Sequence, residues 1–223
     1  SDKEIKETIK RIVRYSDPDL NKETAFIWPE GIFAGIYFED LKKYSSTFSK
    51  SFSKKHLLIF GINTEDPSSN LFYNSLIVSN HNLEILYKYD KKKLVPFGEF
   101  LPLENLLSGL GLKKITPGYS SFSKGETKSL LEFDFKEINL KLLPLVCYEI
   151  IFHNFIEKNK NQFDLIVNIS EDAWFGDSIG PHQHFAKAIF RSIESRKFLI
   201  RSANKGKSVF VDPTGKVIKV LQP

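Results

Sequence analysis

The sequence predicts an α/β fold in which short buried strands alternate with helices. Strand-length apolar runs, such as residues 57–62 and 142–146, recur along the chain between prolines, glycines and polar residues. Residues 5–15 and 181–197 instead space their apolar side chains three or four positions apart, as amphipathic helices do. The 223 residues suffice to bury a sizeable core. Because no repeat or low-complexity linker divides them, we expect a single domain over residues 1–223.

The first half of the chain predicts one helix followed by strands. The helix at residues 5–15 carries one apolar stripe among charged side chains. A short strand at residues 25–28 is stopped by Pro29, which places Glu30 at the end of that strand. Further strands are predicted at residues 57–62, 72–78 and 83–87.

An irregular segment separates the two halves of the chain. Two prolines and a glycine within residues 94–102 exclude a regular helix or a central strand there. Residues 103–115 are rich in leucine, and residues 116–125 have a flexible composition. The segment therefore predicts a shaped loop followed by a mobile arm or lid.

The second half predicts strands whose ends carry polar or aromatic side chains. A strand at 142–146 ends at Cys147, the only cysteine, and a strand at 164–170 precedes residues 171–176. A strand at 198–201 and a hairpin at 208–217 complete the pattern. The helix at 181–197 is expected to bury Phe185, Ala188, Ile189 and Ile193 and to expose Lys187, Arg191 and Glu194.

Composition narrows the classes of partner. The chain has 32 Lys and Arg against 27 Asp and Glu, a formal charge of +5, and its basic residues are scattered without a basic-aromatic motif. We therefore expect no nucleic-acid partner. No stretch of about 18 uninterrupted apolar residues is present to span a bilayer. The chain lacks methionine and starts in a charged helical pattern, so we expect an excerpt of a longer chain.

No pattern in the sequence predicts a metal or a cofactor. His182 and His184 are two positions apart at the start of a predicted helix, so they do not share a face, and no third ligand is visible. The sequence also lacks a phosphate-binding glycine loop and a serine-centred nucleophile elbow. We expect neither a metal nor a cofactor.

Cys147 and Glu30 are candidate reactive side chains because each follows a predicted buried strand. Enzymes of the α/β class hold reactive groups at strand ends. A lone cysteine more often simply packs in the core, which is the alternative interpretation of Cys147.

Several short motifs occur in order along the chain. They are Ile27-Trp28-Pro29-Glu30, Tyr89-Asp90-Lys91, Leu94-Val95-Pro96-Phe97-Gly98-Glu99, Cys147-Tyr148-Glu149, Asp172-Ala173-Trp174-Phe175-Gly176 and Ser178-Ile179-Gly180-Pro181. These motifs resemble those of the carbon-nitrogen hydrolase, or nitrilase, superfamily, whose glutamate, lysine and cysteine match Glu30, Lys91 and Cys147. Within it they are most similar to those of the apolipoprotein N-acyltransferases, bacterial inner-membrane enzymes of lipoprotein maturation. The sequence departs from that family at Glu171, where the family has asparagine, and at His182, where it has an aromatic residue.

The resemblance implies a nitrilase-like α-β-β-α sandwich that lacks the first and last strands of the family. It also implies that the chain is an excerpt of a longer membrane protein whose membrane helices flank it. The enzyme would lie at the bacterial inner membrane, with its catalytic domain on the periplasmic side and held at the membrane surface through those flanking segments.

The resemblance further implies that Cys147 is a nucleophile, Glu30 its general base and Lys91 the cation that stabilises an oxyanion, aided by the Tyr148 backbone N–H. A carboxylate can take the thiol proton, and a buried cation stabilises an oxyanion better than water does. Taken alone, Lys91 in a run of three lysines is also compatible with a solvated surface.

Other residues are assigned supporting roles. Glu99 would hold the Lys91 ammonium or join in proton transfer, unless it is a surface carboxylate. Tyr148 and Glu149 would shape the pocket, although Glu149 is also compatible with a buried ion pair. The residues that would line an acyl pocket or exclude water, and that otherwise pack or cap the core, are Trp174, Phe175, Leu101, Leu103, Leu106, Leu107 and Leu110.

The implied activity is an acyl exchange between two lipid-bearing partners. A fatty acyl group would pass from a phospholipid to a thioester on Cys147, and then to the N-terminal amine of a diacylglyceryl-modified apolipoprotein. The alternative is a soluble nitrilase-type amidase that hydrolyses a carbon-nitrogen bond with the same three residues.

Overall fold

The computed structural model describes residues 2–100, 121–126 and 128–221. Four strands form one sheet in the order β1-β2-β3-β4, in which β1 is parallel to β2 and the other pairs are antiparallel. These strands are β1 (Thr24–Ile27), β2 (His56–Asp66), β3 (Leu71–Ser79) and β4 (Ile85–Asp90).

A second sheet has six strands in the order β10-β9-β8-β7-β6-β5. Its centre is parallel, since β6 pairs with β7 and β7 with β8 in that sense, and its outer pairs are antiparallel. The strands are β5 (Leu131–Phe135), β6 (Ile138–Val146), β7 (Leu165–Glu171), β8 (Phe198–Asn204), β9 (Ser208–Val211) and β10 (Val217–Leu221).

The two sheets pack face to face, and helices cover their outer faces. Side chains alternate across a strand, so Ile59 of β2 joins the cluster between the sheets while Leu58 and Phe60 join a cluster with the first helices. In the same way Val146 of β6 faces the first sheet, and Leu145 faces the helices of the second. The helices are α1 (Asp2–Ser16), α2 (Phe38–Lys42), α3 (Ser45–Ser51), α4 (Asn154–Lys158) and α5 (Gly180–Ser195).

This layering confirms the predicted α-β-β-α sandwich, and the predicted strands all form. The sequence patterns did not predict α2, α3, α4 or β5. The predicted arm at 103–115 and its leucines lie outside the described residues. Among the residues that the structure describes, no helix has the length and apolar character needed to cross a bilayer.

The buried face of α5 differs from the prediction. Arg191 is buried, and its guanidinium donates to the Ile151 carbonyl and to the Glu194 carboxylate. Ile193 is exposed instead. Helical periodicity predicts an exposed arginine here, and it carries no information about the Ile151 carbonyl, which only the tertiary structure brings to the guanidinium.

Candidate active site

Glu30, Lys91 and Cys147 follow β1, β4 and β6, and the structure brings the three side chains together. The Lys91 Nζ lies 3.6 Å from the Glu30 Oε1. Both charges act electrostatically on the Cys147 thiol. The end of β7 closes the group, because the backbone N–H of Glu171 donates to the Glu30 Oε2 over 3.1 Å. Four strand ends from the two sheets thus converge on one site.

Lys91 is a buried cation held between two carboxylates. Its side chain is 1% exposed, which excludes the solvated-surface interpretation, and its Nζ lies 2.9 Å from the Glu99 Oε1. Burial alone would lower the pKa of Lys91, but the charges of Glu30 and Glu99 outweigh burial and hold that pKa above its ordinary value. The ammonium is therefore permanently charged at physiological pH.

Asn74 on β3 is a site residue that the sequence analysis missed. Its side-chain amide donates to the Glu30 Oε1 and to the Glu99 Oε1, each over 2.7 Å. An amide offers two N–H donors, so Asn74 bridges the two carboxylates that lie near the Lys91 ammonium. In the sequence, Asn74 stands out only as a polar residue within a predicted apolar strand.

The irregular loop after β4 returns Glu99 to the site. The Val95 N–H donates to the Glu99 Oε2 over 2.8 Å, and the Glu99 N–H donates to the Val95 carbonyl over the same distance. Glu99 is buried, so it is not a surface carboxylate. The loop thus fixes the carboxylate that contacts Lys91.

Cys147 occupies a backbone conformation that is unusual for a side-chain-bearing residue. Its φ is 47°, in the left-handed region, and it begins a 3-10 helix at Cys147–Ile151. Such a conformation costs about 1–3 kcal/mol and persists only where the surroundings enforce it. A sharp turn directly after β6 therefore presents the thiol to the site.

The Cys147 thiol is protonated at rest. It is 8% exposed, and burial together with the Glu30 charge raises its pKa to about 12. The charge of Lys91 and hydrogen bonds with the Ser170 side chain and the Glu171 backbone act in the opposite direction. Attack by this thiol requires a base that removes its proton.

Glu149 ties the turn at Cys147 to the loop that carries Lys91. Its carboxylate accepts from the backbone N–H groups of Val146, Lys92 and Lys93 over 2.7–3.0 Å, and from the Tyr89 hydroxyl. Backbone hydrogen bonds, rather than an ion pair, thus account for its complete burial.

The remaining predicted residues have different surroundings. Tyr148 is half-buried, and its ring packs edge-on against Phe152 with centroids 5.0 Å apart. Trp174 is 55% exposed, which excludes core packing as its role. Phe175 is half-buried with its ring centroid 5.4 Å from that of His184.

A buried polar network lies behind Cys147, and the sequence analysis did not identify it. Arg201 on β8 donates to both oxygens of Asp172, and Ser170 donates to the same carboxylate. The His184 Nδ1 lies 3.0 Å from the Asp172 Oδ1, and its Nε2 lies 3.1 Å from the Cys147 carbonyl oxygen. Burial would raise the pKa of Asp172, but His184 and Arg201 lower it to about 2.

No metal site is found in the described part of the chain, where no group of three His, Cys, Asp or Glu side chains could hold an ion. Both ring nitrogens of His184 are taken up by the hydrogen bonds just described.

Comparisons with known proteins agree with this architecture. The chain is 36% identical over 195 residues to the apolipoprotein N-acyltransferase of Rhizobium rhizogenes, which covers 86% of this chain and 36% of that protein. A carbon-nitrogen hydrolase of Helicobacter pylori superposes with a TM-score of 0.69 at 15% identity, over 97% of this chain and 80% of that one. The chain spans about a third of the length of the curated relatives that it matches.

A further solved structure is an amidase of Nesterenkonia sp., in a variant described as carrying acrylamide on its active-site cysteine. It has a TM-score of 0.63 at 17% identity, over 96% of this chain and 80% of that one. Both solved structures show the fold. The family model for carbon-nitrogen hydrolases matches residues 45–223. The chain belongs to the carbon-nitrogen hydrolase family.

Proposed function

We propose that this chain catalyses acyl transfer through a thioester on Cys147, with Glu30 as general base and Lys91 as oxyanion stabiliser. The observation that carries the proposal is the buried Lys91 ammonium, held between two carboxylates beside a protonated thiol. The site thus supplies a nucleophile, a carboxylate whose charge acts on it and a buried cation.

In the first step, the thiol proton passes to Glu30 while the sulfur attacks the carbonyl carbon of an ester. The oxyanion that forms is stabilised by Lys91 and by the Tyr148 N–H in a site from which water is largely excluded. When the carbon-oxygen bond of the ester breaks, Glu30 returns the proton to the departing alkoxide. The products are an alcohol and an acyl thioester on Cys147.

In the second step, an amine attacks the thioester carbonyl and the carbon-sulfur bond breaks. Glu30 takes a proton from the attacking amine, and the thiolate is reprotonated to complete the cycle. The product is an amide.

We further propose that the ester is a phospholipid and the amine is the N-terminus of a diacylglyceryl-modified apolipoprotein. The names of the curated relatives support this choice. The proposal places the enzyme at the bacterial inner membrane with its site on the periplasmic side. Trp174 and Phe175 are proposed to line the path of the acyl chain, and the exposure of Trp174 leaves its ring free for that contact.

A nitrilase-type amidase is the competing function, because the fold is shared with an amidase whose active-site cysteine forms covalent adducts. The two functions differ in the molecule that takes the acyl group. An amidase passes it to water, whereas an acyltransferase must retain a thioester until an amine arrives.

Intact-mass analysis of the full-length protein after incubation with phospholipid vesicles tests the proposal. We expect an adduct of fatty-acyl mass on the wild type and none on Cys147→Ala. Adding a diacylglyceryl-modified peptide with a free N-terminus should discharge the adduct and yield an N-acyl peptide. If wild-type protein forms no adduct but hydrolyses simple amides, the amidase interpretation is correct.

A further inference from the structure

The hydrogen bond from His184 to the backbone of Cys147 gives the buried network behind the site a function. A carbonyl oxygen only accepts hydrogen bonds, so the His184 Nε2, 3.1 Å from the Cys147 oxygen, carries a hydrogen and donates it. The contact is made to the peptide group that joins Cys147 to Tyr148.

The two ends of that peptide group point in opposite directions. In a trans peptide the C=O and the N–H are antiparallel, so anchoring the Cys147 oxygen at α5 aims the Tyr148 N–H away from α5. Tyr148 lies in the first turn of the 3-10 helix at Cys147–Ile151, where backbone N–H groups have no partner within the helix. Its N–H is therefore available to a ligand atom.

The rest of the network fixes the orientation of the His184 ring. The Nδ1 faces the Asp172 carboxylate at 3.0 Å and an Arg201 nitrogen at 3.2 Å. Asp172 is fixed in turn by both of its oxygens on Arg201, and all three side chains are buried. The imidazole therefore cannot rotate away from Cys147 without breaking buried charge-assisted hydrogen bonds.

We propose that His184 is a positioning residue for the oxyanion hole: it orients and polarises the Cys147–Tyr148 peptide, so that the Tyr148 N–H becomes a fixed, strengthened donor to the oxyanion. Hydrogen bonds in a chain polarise one another, so donation to the carbonyl makes the N–H at the other end of the same peptide a better donor. This inference rests on the proposed acyl-transfer chemistry at Cys147.

Two reactions of the same thiol separate this role from a merely structural one. Acylation by p-nitrophenyl butyrate passes through an oxyanion, and it breaks the carbon-oxygen bond to nitrophenolate. Alkylation by iodoacetamide forms a carbon-sulfur bond at a tetrahedral carbon with loss of iodide, and no oxyanion forms. Both probes act without a phospholipid, and both products are resolved by intact mass.

Two amide substitutions test His184 in the full-length protein in detergent. His184→Gln carries its amide about as far along the side chain as Nε2 and can still donate to Cys147, whereas His184→Asn reaches only the position of Nδ1. We expect His184→Asn to lower the acylation rate about tenfold or more, on the scale of a weakened oxyanion donor. Its alkylation rate and both rates of His184→Gln should stay within about threefold of wild type. The control is His182→Leu, an exposed position on the same helix, which should leave both rates unchanged.

Several outcomes would overturn the proposal. Equal losses of acylation and alkylation in His184→Asn would show that the turn at Cys147 has merely been distorted. Equal acylation rates in the Asn and Gln variants would show that donation to Cys147 is unimportant. If the ester acylates wild-type Cys147 but phospholipid vesicles do not, the lipid assignment fails while the His184 experiment remains decisive.

Discussion

Replacing Glu30 by glutamine should change two reactions of Cys147 in opposite directions. The pKa of about 12 implies that roughly three thiols in 10⁵ are ionised at pH 7.5, against about one in ten for an ordinary cysteine. Iodoacetamide should therefore alkylate the wild-type thiol very slowly near neutral pH, and the rate should rise about tenfold per pH unit.

The charge of Glu30 is one cause of that raised pKa, so Glu30→Gln should lower the thiol pKa. A like charge a few ångströms away typically shifts a pKa by about one unit or more. We expect alkylation at pH 8 to become about tenfold faster. Acylation by p-nitrophenyl butyrate should become slower, by about 10² to 10⁴, because the general base has been removed.

The assay is intact-mass quantification of both adducts over pH 6–11, with Glu132→Gln, an exposed position on β5, as the matched control. If Glu30→Gln slows alkylation and acylation together, then Glu30 acts as a base toward both reagents, or the site has collapsed. Either result would refute the electrostatic reasoning.

Three further outcomes are expected. The pKa of Asp172 is lowered to about 2 in the folded protein, against 3.8 in the unfolded chain, so its ionised carboxylate stabilises the fold by about 2 kcal/mol. This stabilisation is complete above pH 4 and is lost as the pH falls toward 2, so the unfolding free energy measured in urea should depend less on pH in this range in Asp172→Asn. Glu149→Gln turns an amide N–H toward buried backbone N–H donors, so it should lower the unfolding free energy by about 2–5 kcal/mol in urea titrations. An unchanged urea midpoint would contradict the role of Glu149 in joining the turn at Cys147 to the loop that carries Lys91. Gly31→Ala places a Cβ 2.1 Å from a carboxylate oxygen of Glu171, whereas the Cβ of Gly35→Ala, at a similar positive φ, meets nothing within 4 Å. The melting temperature and the acylation rate should therefore fall more in Gly31→Ala than in Gly35→Ala. Equal decreases in the two variants would show that backbone strain alone is the cause.

Much of the fold was predictable because strands can be recognised from short stretches of sequence. The apolar runs that became β2, β3, β6 and β7 are long enough to be recognised without their neighbours. The short helices α2 and α3 were missed because helices of five and seven residues owe their stability to packing rather than to local periodicity. The strand β5, from Leu131 to Phe135, does alternate apolar and polar residues, so its signal lies in the sequence itself.

The site was predictable in part. Strand ends located Glu30 and Cys147, and motif resemblance singled out Lys91 from three consecutive lysines. Asn74 and His184 were not found as site residues, since a buried amide in a strand and a histidine on a helix carry no local signal of what they contact. Their partners, Glu30 and the Cys147 carbonyl, come from distant parts of the chain.

The sequence by itself determined where the strands lie and which reactive residues follow them, since those properties depend on runs of adjacent residues. The tertiary structure decided the ionisation of each group. Lys91 remains charged although buried, and Cys147 remains protonated, because the same Glu30 carboxylate stabilises the ammonium and disfavours the thiolate. Electrostatic interactions depend on distances in space, and these exist only once β1, β4 and β6 have packed with their ends together.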